Sequence, residues 1–153
     1  MALVKYNNNS ISAVSSLASL PSGALVPIKT LTASSSSTLS FVDGSDGVVL
    51  DNTYPIYVFK FINCHPQTEG TELAFNLSTD GGSNYNVSKT STFFSAYLYE
   101  SGSPSGILYQ PSRDLANGTG FQTMATDLGA DSDASISGML HLFNPSSTTF
   151  IKH

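Results

Sequence analysis

The sequence predicts an all-β fold, an antiparallel β-sandwich of the jelly-roll type that follows a short N-terminal helix or arm. Short stretches of alternating apolar and polar residues recur along the chain, and turns rich in Gly, Asp and Ser separate them, as in sandwiches and barrels. The 153 residues are 40% hydrophobic and include nine Phe and seven Tyr, which is enough for one folded core. The strand order does not follow from the sequence.

The chain divides near residue 23. Ahead of it, Ile11, Val14 and Leu17 recur every third residue, and Pro21 ends the pattern, so residues 1–23 form an arm or short helix. A helix of about ten residues is marginal alone in water, so it either packs on its own domain or orders on a partner as an anchoring arm. Residues 24–153 form the β-sandwich domain.

The predicted strands follow one another at short intervals after this boundary. Alternation is clearest at 56–63, where Tyr57, Phe59 and Phe61 share a face, and it recurs at 72–78 before the turn at 80–82, which is typical of a hairpin. The stretch 101–120 is loop-like, with a short Ile-Leu-Tyr segment. The full set of predicted strands is 25–28, 38–42, 56–63, 72–78, 92–100, 121–125, 134–143 and 148–152.

Two structural expectations follow from these strands. The phenylalanines on their apolar faces should be largely buried, namely Phe59, Phe61, Phe75 and Phe94. The segment 148–153 reads as a strand with an unpaired edge, and such an edge pairs readily with another chain. We therefore expect it to lie against another subunit, in a three-fold rather than a two-fold assembly. The alternative is that it closes the protein's own sheet.

Charge and hydropathy exclude two classes of partner. The net charge is −5, whereas binding to nucleic acid requires a basic surface. No apolar run approaches the roughly 20 residues of a membrane-spanning helix. We expect neither a nucleic acid nor a membrane as partner.

The residues that could carry catalysis are few and poorly spaced. Cys64 and His65 are neighbours, so on a strand they point to opposite faces and cannot form a dyad. No GxSxG or HExxH motif is present, and Glu occurs only at 69, 72 and 100. The sequence predicts no enzyme, with no catalytic, cofactor-binding or metal site.

Two weaker binding interpretations stay open. Acidic loops at Asp43/Asp46/Asp51 and at Asp127/Asp131/Asp133 have oxygen ligands that calcium accepts, although Asp-Gly pairs are also ordinary turn formers. Tyr97, Tyr99 and Tyr109 could stack on sugars, although strand tyrosines more often pack in part against their own domain.

Four segments together resemble a family of small virion proteins of marine tailed bacteriophages, cyanophages among them. They are LVPIKTLTASSSSTLSFVDG (25–44), YVFKFINCHP (57–66), FNLSTDGGSNYNV (75–87) and LHLFNPSSTTFIKH (140–153). The last is the most specific. Chains of that family run on through further strands, so the resemblance implies a domain whose final strands are either absent here or supplied by a partner.

The resemblance implies a place in the virion and a structural role. The expected function is a non-enzymatic virion structural protein, a capsid decoration or fibre component that docks on other capsid or tail subunits. The alternative is a receptor-binding module of the tail that recognises a host surface glycan. Either role implies a homo-oligomer, and a homotrimer is favoured.

Overall fold

The computed structural model describes residues 25–149, and within them the protein is all-β, as predicted. A single 3-10 turn, Pro111–Arg113, is the helical element of this part of the chain. No helix in residues 25–149 is long and apolar enough to cross a membrane. The predicted arm, residues 1–23, lies outside the described range. The strands are β1 (Ile56–Cys64), β2 (Thr71–Phe75), β3 (Phe94–Leu98), β4 (Ser105–Tyr109), β5 (Gln122–Leu128) and β6 (Ile136–Phe143).

The six strands pair in a nested order. β1 pairs with β6, β2 with β5 and β3 with β4, each time antiparallel, and each pair forms a two-stranded sheet. None of these sheets closes into a barrel. The chain therefore runs out through three strands and returns through three, with the β3–β4 hairpin at its far end.

β1 and β6 form the longest pair. β-Branched and aromatic residues in the sequence IYVFKFINC favour a strand here. Pairing is regular from Ile56, opposite Phe143, to Phe61, opposite Gly138, and then shifts before Cys64. Asn63 adopts a left-handed φ of 49° at this shift, and its N–H donates to Ser137 Oγ at 3.0 Å. Asparagine tolerates this conformation, so the bulge is accommodated locally.

The turn at residues 80–82 does not join a hairpin, contrary to prediction. Gly81 and Gly82 have positive φ as a tight turn requires. However, β2 pairs with β5 rather than with the next strand along the chain. β2 ends at Phe75, where side-chain hydrogen bonds take the place of backbone pairing. The side-chain amide of Asn76 donates to the carbonyl of Tyr85 at 2.8 Å and to the carbonyl of Thr119 at 3.1 Å.

A hairpin occupies much of the stretch predicted to be a loop. β4 (Ser105–Tyr109) contains the Ile-Leu-Tyr segment and pairs in register with β3 from Phe94, opposite Tyr109, to Leu98, opposite Ser105. The glycines and proline of this stretch suggested a loop. Gly102 and Pro104 lie in the connecting turn, and Gly106 lies within β4.

Two predicted strands are absent as strands from the described residues, and a third lies mostly outside them. Residues 25–28 and 38–42 run without strand pairing, and Thr148 and Thr149 lie in a bend; the rest of 148–153 is outside the described range. Pro27 lacks the N–H that a ladder needs. Leu25 and Val26 remain 65% and 42% exposed, so no neighbouring strand covers them.

The buried core of the described residues is small. Its buried apolar side chains are Val48, Tyr57 and Phe93, and no large side chain in residues 25–149 is completely enclosed. The Tyr57 hydroxyl donates to the carbonyl of Asp51 at 3.0 Å, and burial raises the pKa of its phenol.

The phenylalanines predicted to form the core do not form it. Phe59, Phe61 and Phe75 are half-buried, and Phe94 is 63% exposed. The prediction is wrong for Phe94 because the hairpin that carries it has no sheet packed on that face. Phe61 lines a shallow open groove of about 150 Å³ between the β1–β6 and β2–β5 sheets, together with Leu73, Met124 and Ile136.

Candidate assembly surface

The β3–β4 hairpin exposes large apolar and aromatic side chains at more than half of its strand positions. Glu100 is the one charged residue between Phe94 and Tyr109. A hairpin with such a surface is marginally stable in water unless something covers it. The exposed fractions are Phe94 63%, Tyr97 41%, Leu98 72%, Tyr99 59%, Ile107 81%, Leu108 50% and Tyr109 49%.

The cross-strand register divides these side chains between two faces of different chemistry. Residues opposite one another share a face, and faces alternate along each strand. One face, called here the apolar face, carries Phe94, Ala96, Leu98, Ile107 and Tyr109, with the small Ser105 opposite Leu98 at its end. The rings of Phe94 and Tyr109 lie on it with centroids 5.3 Å apart.

The opposite face, called here the tyrosine face, carries Tyr97, Tyr99 and Leu108. The rings of Tyr97 and Tyr99 meet edge to face with centroids 6.0 Å apart. Gly106 lies opposite Tyr97, and a Cβ there would stand 3.4 Å from the tyrosine hydroxyl. The glycine therefore lets the Tyr97 ring lie close over the neighbouring strand.

Both long edges of the hairpin are open. Gln110 N–H donates to Phe93 O at 3.1 Å, and Tyr99 N–H donates to Pro104 O at 3.3 Å. Hydrogen-bonded pairs alternate in an antiparallel ladder, so the backbone groups of Ala96 and Ile107 point away from the partner strand. No third strand of residues 25–149 joins this sheet.

A carboxylate holds the base of the hairpin. Asp114 Oδ1 accepts the N–H of Phe93 at 2.8 Å, and Asp114 Oδ2 accepts the hydroxyl of Tyr109. The Gln110 amide donates to Ser95 Oγ at 2.9 Å. The hydrogen bond to Asp114 raises the pKa of Tyr109, because it stabilises the protonated phenol.

A buried glutamine at the start of β5 extends the hydrogen-bond network at the base of the hairpin. Gln122, at 6% exposure, accepts the hydroxyl proton of Ser91 and donates its amide to the carbonyls of Thr123 at 2.9 Å and Arg113 at 3.3 Å. Ser91 Oγ also accepts the N–H of Leu115 at 3.0 Å. Each hydrogen-bonding group here has a partner, as buried polar groups require.

Glu72 connects the base to β2. One of its oxygens accepts the Thr123 hydroxyl at 2.9 Å, and the other pairs with the Arg113 guanidinium. Glu72, Thr123 and Arg113 thus link β2, β5 and the 3-10 turn below the hairpin. Neither residue pattern nor spacing in the sequence indicates this arrangement, because its members are dispersed polar residues.

The acidic loops do not assemble as calcium sites in the described residues. Asp43 Oδ1 accepts Leu50 N–H at 2.8 Å, and Asp46 pairs with Lys29. Hydrogen bonds from Thr53 lower the pKa of Asp51. Within residues 25–149, no three His, Cys, Asp or Glu side chains lie close enough together to hold a metal ion, so Asp127/Asp131/Asp133 do not converge either.

The remaining candidates fall in different places. Cys64 is a free, half-buried thiol at the end of β1, and His65 Nδ1 lies 2.6 Å from the carbonyl of Ala134. His141 packs edge to face on Phe143, with centroids 6.2 Å apart. His153 is outside the described residues. The structure does bring the three predicted tyrosines together on one hairpin, with Tyr109 on the opposite face from Tyr97 and Tyr99.

Comparison with known proteins adds no relative. No protein-family model matches the chain, and no curated protein or solved structure is significantly similar to it.

Proposed function

We propose that this chain is a non-enzymatic structural protein of a virion, which docks on the particle as a capsid decoration or fibre component and works as a homotrimer. The observation that carries the proposal is the combination of a small core with an uncharged, exposed hairpin. A chain that buries three apolar side chains in its described part gains too little from its own packing. Burial of the hairpin against capsid or tail subunits, or against further copies, supplies the additional stability.

The proposed fold is a jelly-roll sandwich. A jelly roll is a long antiparallel ribbon of strands folded over into two sheets. The nested pairing of β1 with β6, β2 with β5 and β3 with β4 supports this fold, since each pair is one step along such a ribbon. Further strands, from residues outside the described range or from a partner, would complete the sheets.

The composition suits a surface that assembles without charge. The chain has 26 Ser and 14 Thr, while 11% of its residues are charged, less than half of the roughly 25% that is typical. Contacts between such surfaces depend on shape and hydrogen bonds and are little weakened by salt. The resemblance of four sequence segments to marine phage virion proteins supports the same location.

The tyrosine face supports a second candidate function, a tail receptor-binding module for a host glycan. Tyr97 and Tyr99 are 41% and 59% exposed and stand next to one another. Tyrosine with serine and glycine beside it makes an adaptable binding surface. Sugar rings stack on exposed aromatic faces of this kind.

Quantitative mass spectrometry of purified particles tests the proposed function. The expected result is that peptides of the chain co-purify with intact virions. Hundreds of copies per particle would place it on the head, and a multiple of three or six would place it on the tail. Its absence from particles, with the protein present in the infected cell, contradicts a virion role.

A glycan array tests the second function. Binding by the intact protein that is lost in Tyr97→Ala and Tyr99→Ala, and kept in Tyr85→Ala, supports it. Tyr85 is the matched control because it is also exposed, at 37%, but lies outside the hairpin. If the intact protein binds no glycan, the receptor-binding function is contradicted and the docking function is unaffected.

A further inference from the structure

We infer that the apolar face of the β3–β4 hairpin is the contact between copies of this chain. Phe94, Ala96, Leu98, Ile107 and Tyr109 of one copy pack on the same face of its neighbours. This inference rests on the proposed function for the premise that the chain assembles. The choice of surface rests on the exposure and register of the hairpin.

The exposed area is the first argument. At roughly 200 Å² for a large side chain, the exposed parts of Phe94, Leu98, Ile107 and Tyr109 amount to on the order of 500 Å². Two copies joined through this face therefore bury on the order of 1,000 Å², about the size that a specific protein interface needs. The face is large enough to hold a contact by itself.

The absence of charge on the face is the second argument for a second copy. No Asp, Glu, Lys or Arg lies on either strand of the hairpin, so nothing there selects a charged partner. An identical face offers an equally uncharged surface of equal area. Ala96 lies opposite Ile107, and this small residue leaves space beside Ile107, the most exposed large side chain of the hairpin at 81%.

Folding supplies the third argument. Because the core is small, covering the hairpin's surface would add to the stability of the folded chain, and a second copy is present whenever the chain is made. The hydrogen bonds at the base of the hairpin favour the same contact. Asp114 binds both the Phe93 N–H and the Tyr109 hydroxyl, so this end of the apolar face is ordered before association, which lowers the entropy lost on binding.

Adjacent residues of β4 provide a matched test. Ile107 lies on the apolar face and Leu108 on the tyrosine face, and both are exposed, so an aspartate at either position is tolerated by the separate chain. Ile107→Asp would bury unpaired charges in the contact, whereas Leu108→Asp would not. Mass is measured by light scattering after size separation, and circular dichroism shows that each variant is folded.

The wild-type chain and Leu108→Asp should have a mass that is a multiple of 16.1 kDa at micromolar concentration. Ile107→Asp should be a 16.1 kDa monomer, with a dissociation constant raised at least 100-fold. A monomeric wild type, or an Ile107→Asp variant that associates as well as the wild type, overturns the inference.

Cross-linking keeps the test decisive if Ile107→Asp does not fold. In a Cys64→Ser background, Ala96→Cys on the apolar face should form a disulfide between chains under mild oxidation, and Ser95→Cys on the other face should not. Equal cross-linking at both positions, or none at Ala96→Cys, contradicts the inference. A chain that associates through this face but is missing from particles would refute the virion role and leave this contact standing.

Discussion

Asp114 joins the two strands of the exposed hairpin through one carboxylate. Its Oδ2 accepts the hydroxyl of Tyr109 at the end of β4, and its Oδ1 accepts the N–H of Phe93 just before β3, at 2.8 Å. Phe93 is buried while Phe94, the next residue, is exposed. The chain therefore passes from the buried core to the exposed apolar face of the hairpin within one residue, and Asp114 binds the backbone at that point.

Asp114→Asn should lower the pKa of Tyr109 toward its ordinary value of 10.0, because the carboxylate that favours the protonated phenol is gone. A raised pKa in the folded state stabilises the fold below pH 10, and this contribution is lost as the pH rises through the pKa of the folded state. The tyrosine ring-carbon signals in an NMR titration report the change. Asp131→Asn, in a distant loop, is the control; an equal shift in both variants would contradict the assignment.

The loop around Asp80 should open in acid. Hydrogen bonds from the Ser78 hydroxyl and from Asn84 lower the pKa of Asp80 to about 2. A lowered pKa means that the loop's stabilisation is present above pH 4 and is lost as the pH falls toward 2. NMR titration should show Asp80 changing with a midpoint near 2. In the Asp80→Asn control, the loop signals should not change between pH 4 and pH 2. A wild-type midpoint near 4 would show that the hydrogen bonds to Asp80 do not form.

Neighbouring phenylalanines should have different effects on stability. Phe93→Ala should cost about 3–5 kcal/mol at any protein concentration, since Phe93 is 8% exposed and its removal leaves a cavity. Phe94→Ala should cost little in the separate chain and should lower stability through weaker association. Denaturant unfolding at two protein concentrations distinguishes them. Equal losses at low concentration would mean that Phe94 is packed in the chain's own core.

Gly82 should tolerate alanine less well than Gly81. Both have positive φ, 82° and 69°, so both substitutions carry the backbone strain of a left-handed residue. A Cβ on Gly82 would in addition stand 3.1 Å from Val42 Cγ2 and 3.2 Å from the Tyr85 hydroxyl, while a Cβ on Gly81 meets nothing within 4 Å. Gly82→Ala should therefore destabilise by about 1 kcal/mol more than Gly81→Ala. Thermal unfolding of the pair measures this, and equal losses would show that Val42 moves aside freely.

Local pattern predicted the strands better than their partners. The alternation in IYVFKFIN located β1 to within a residue, because a half-buried strand has a strict period of two. The pairing of β2 with β5 depends on residues about 50 positions apart, and nothing in the turn at 80–82 specifies it. That turn has the glycines of a hairpin, yet the strands around it pair elsewhere.

The exposure of the β3–β4 hairpin was harder to predict than the all-β fold class. The stretch TFFSAYLYE has large apolar residues on both faces, which is also the pattern of a fully buried strand, and this is why Phe94 was wrongly predicted to be buried. The three tyrosines named as possible sugar contacts lie on one hairpin, but Tyr109 is on the opposite face from Tyr97, so their role in binding stays a prediction. The base formed by Glu72, Gln122 and Asp114 gave no signal, because such polar residues are common in loops and acquire a role only when distant segments meet.

The concentration dependence of thermal unfolding tests most directly the claim that this chain is an assembly subunit whose stability depends on its neighbours. Binding to the folded state alone makes the melting temperature rise with concentration. Over a 100-fold range of protein concentration, we predict that the midpoint of the full chain rises by several degrees, and that Ile107→Asp melts at a lower temperature that does not change. A wild-type melting temperature that is constant over the same range, with a mass of 16.1 kDa throughout, would contradict the account.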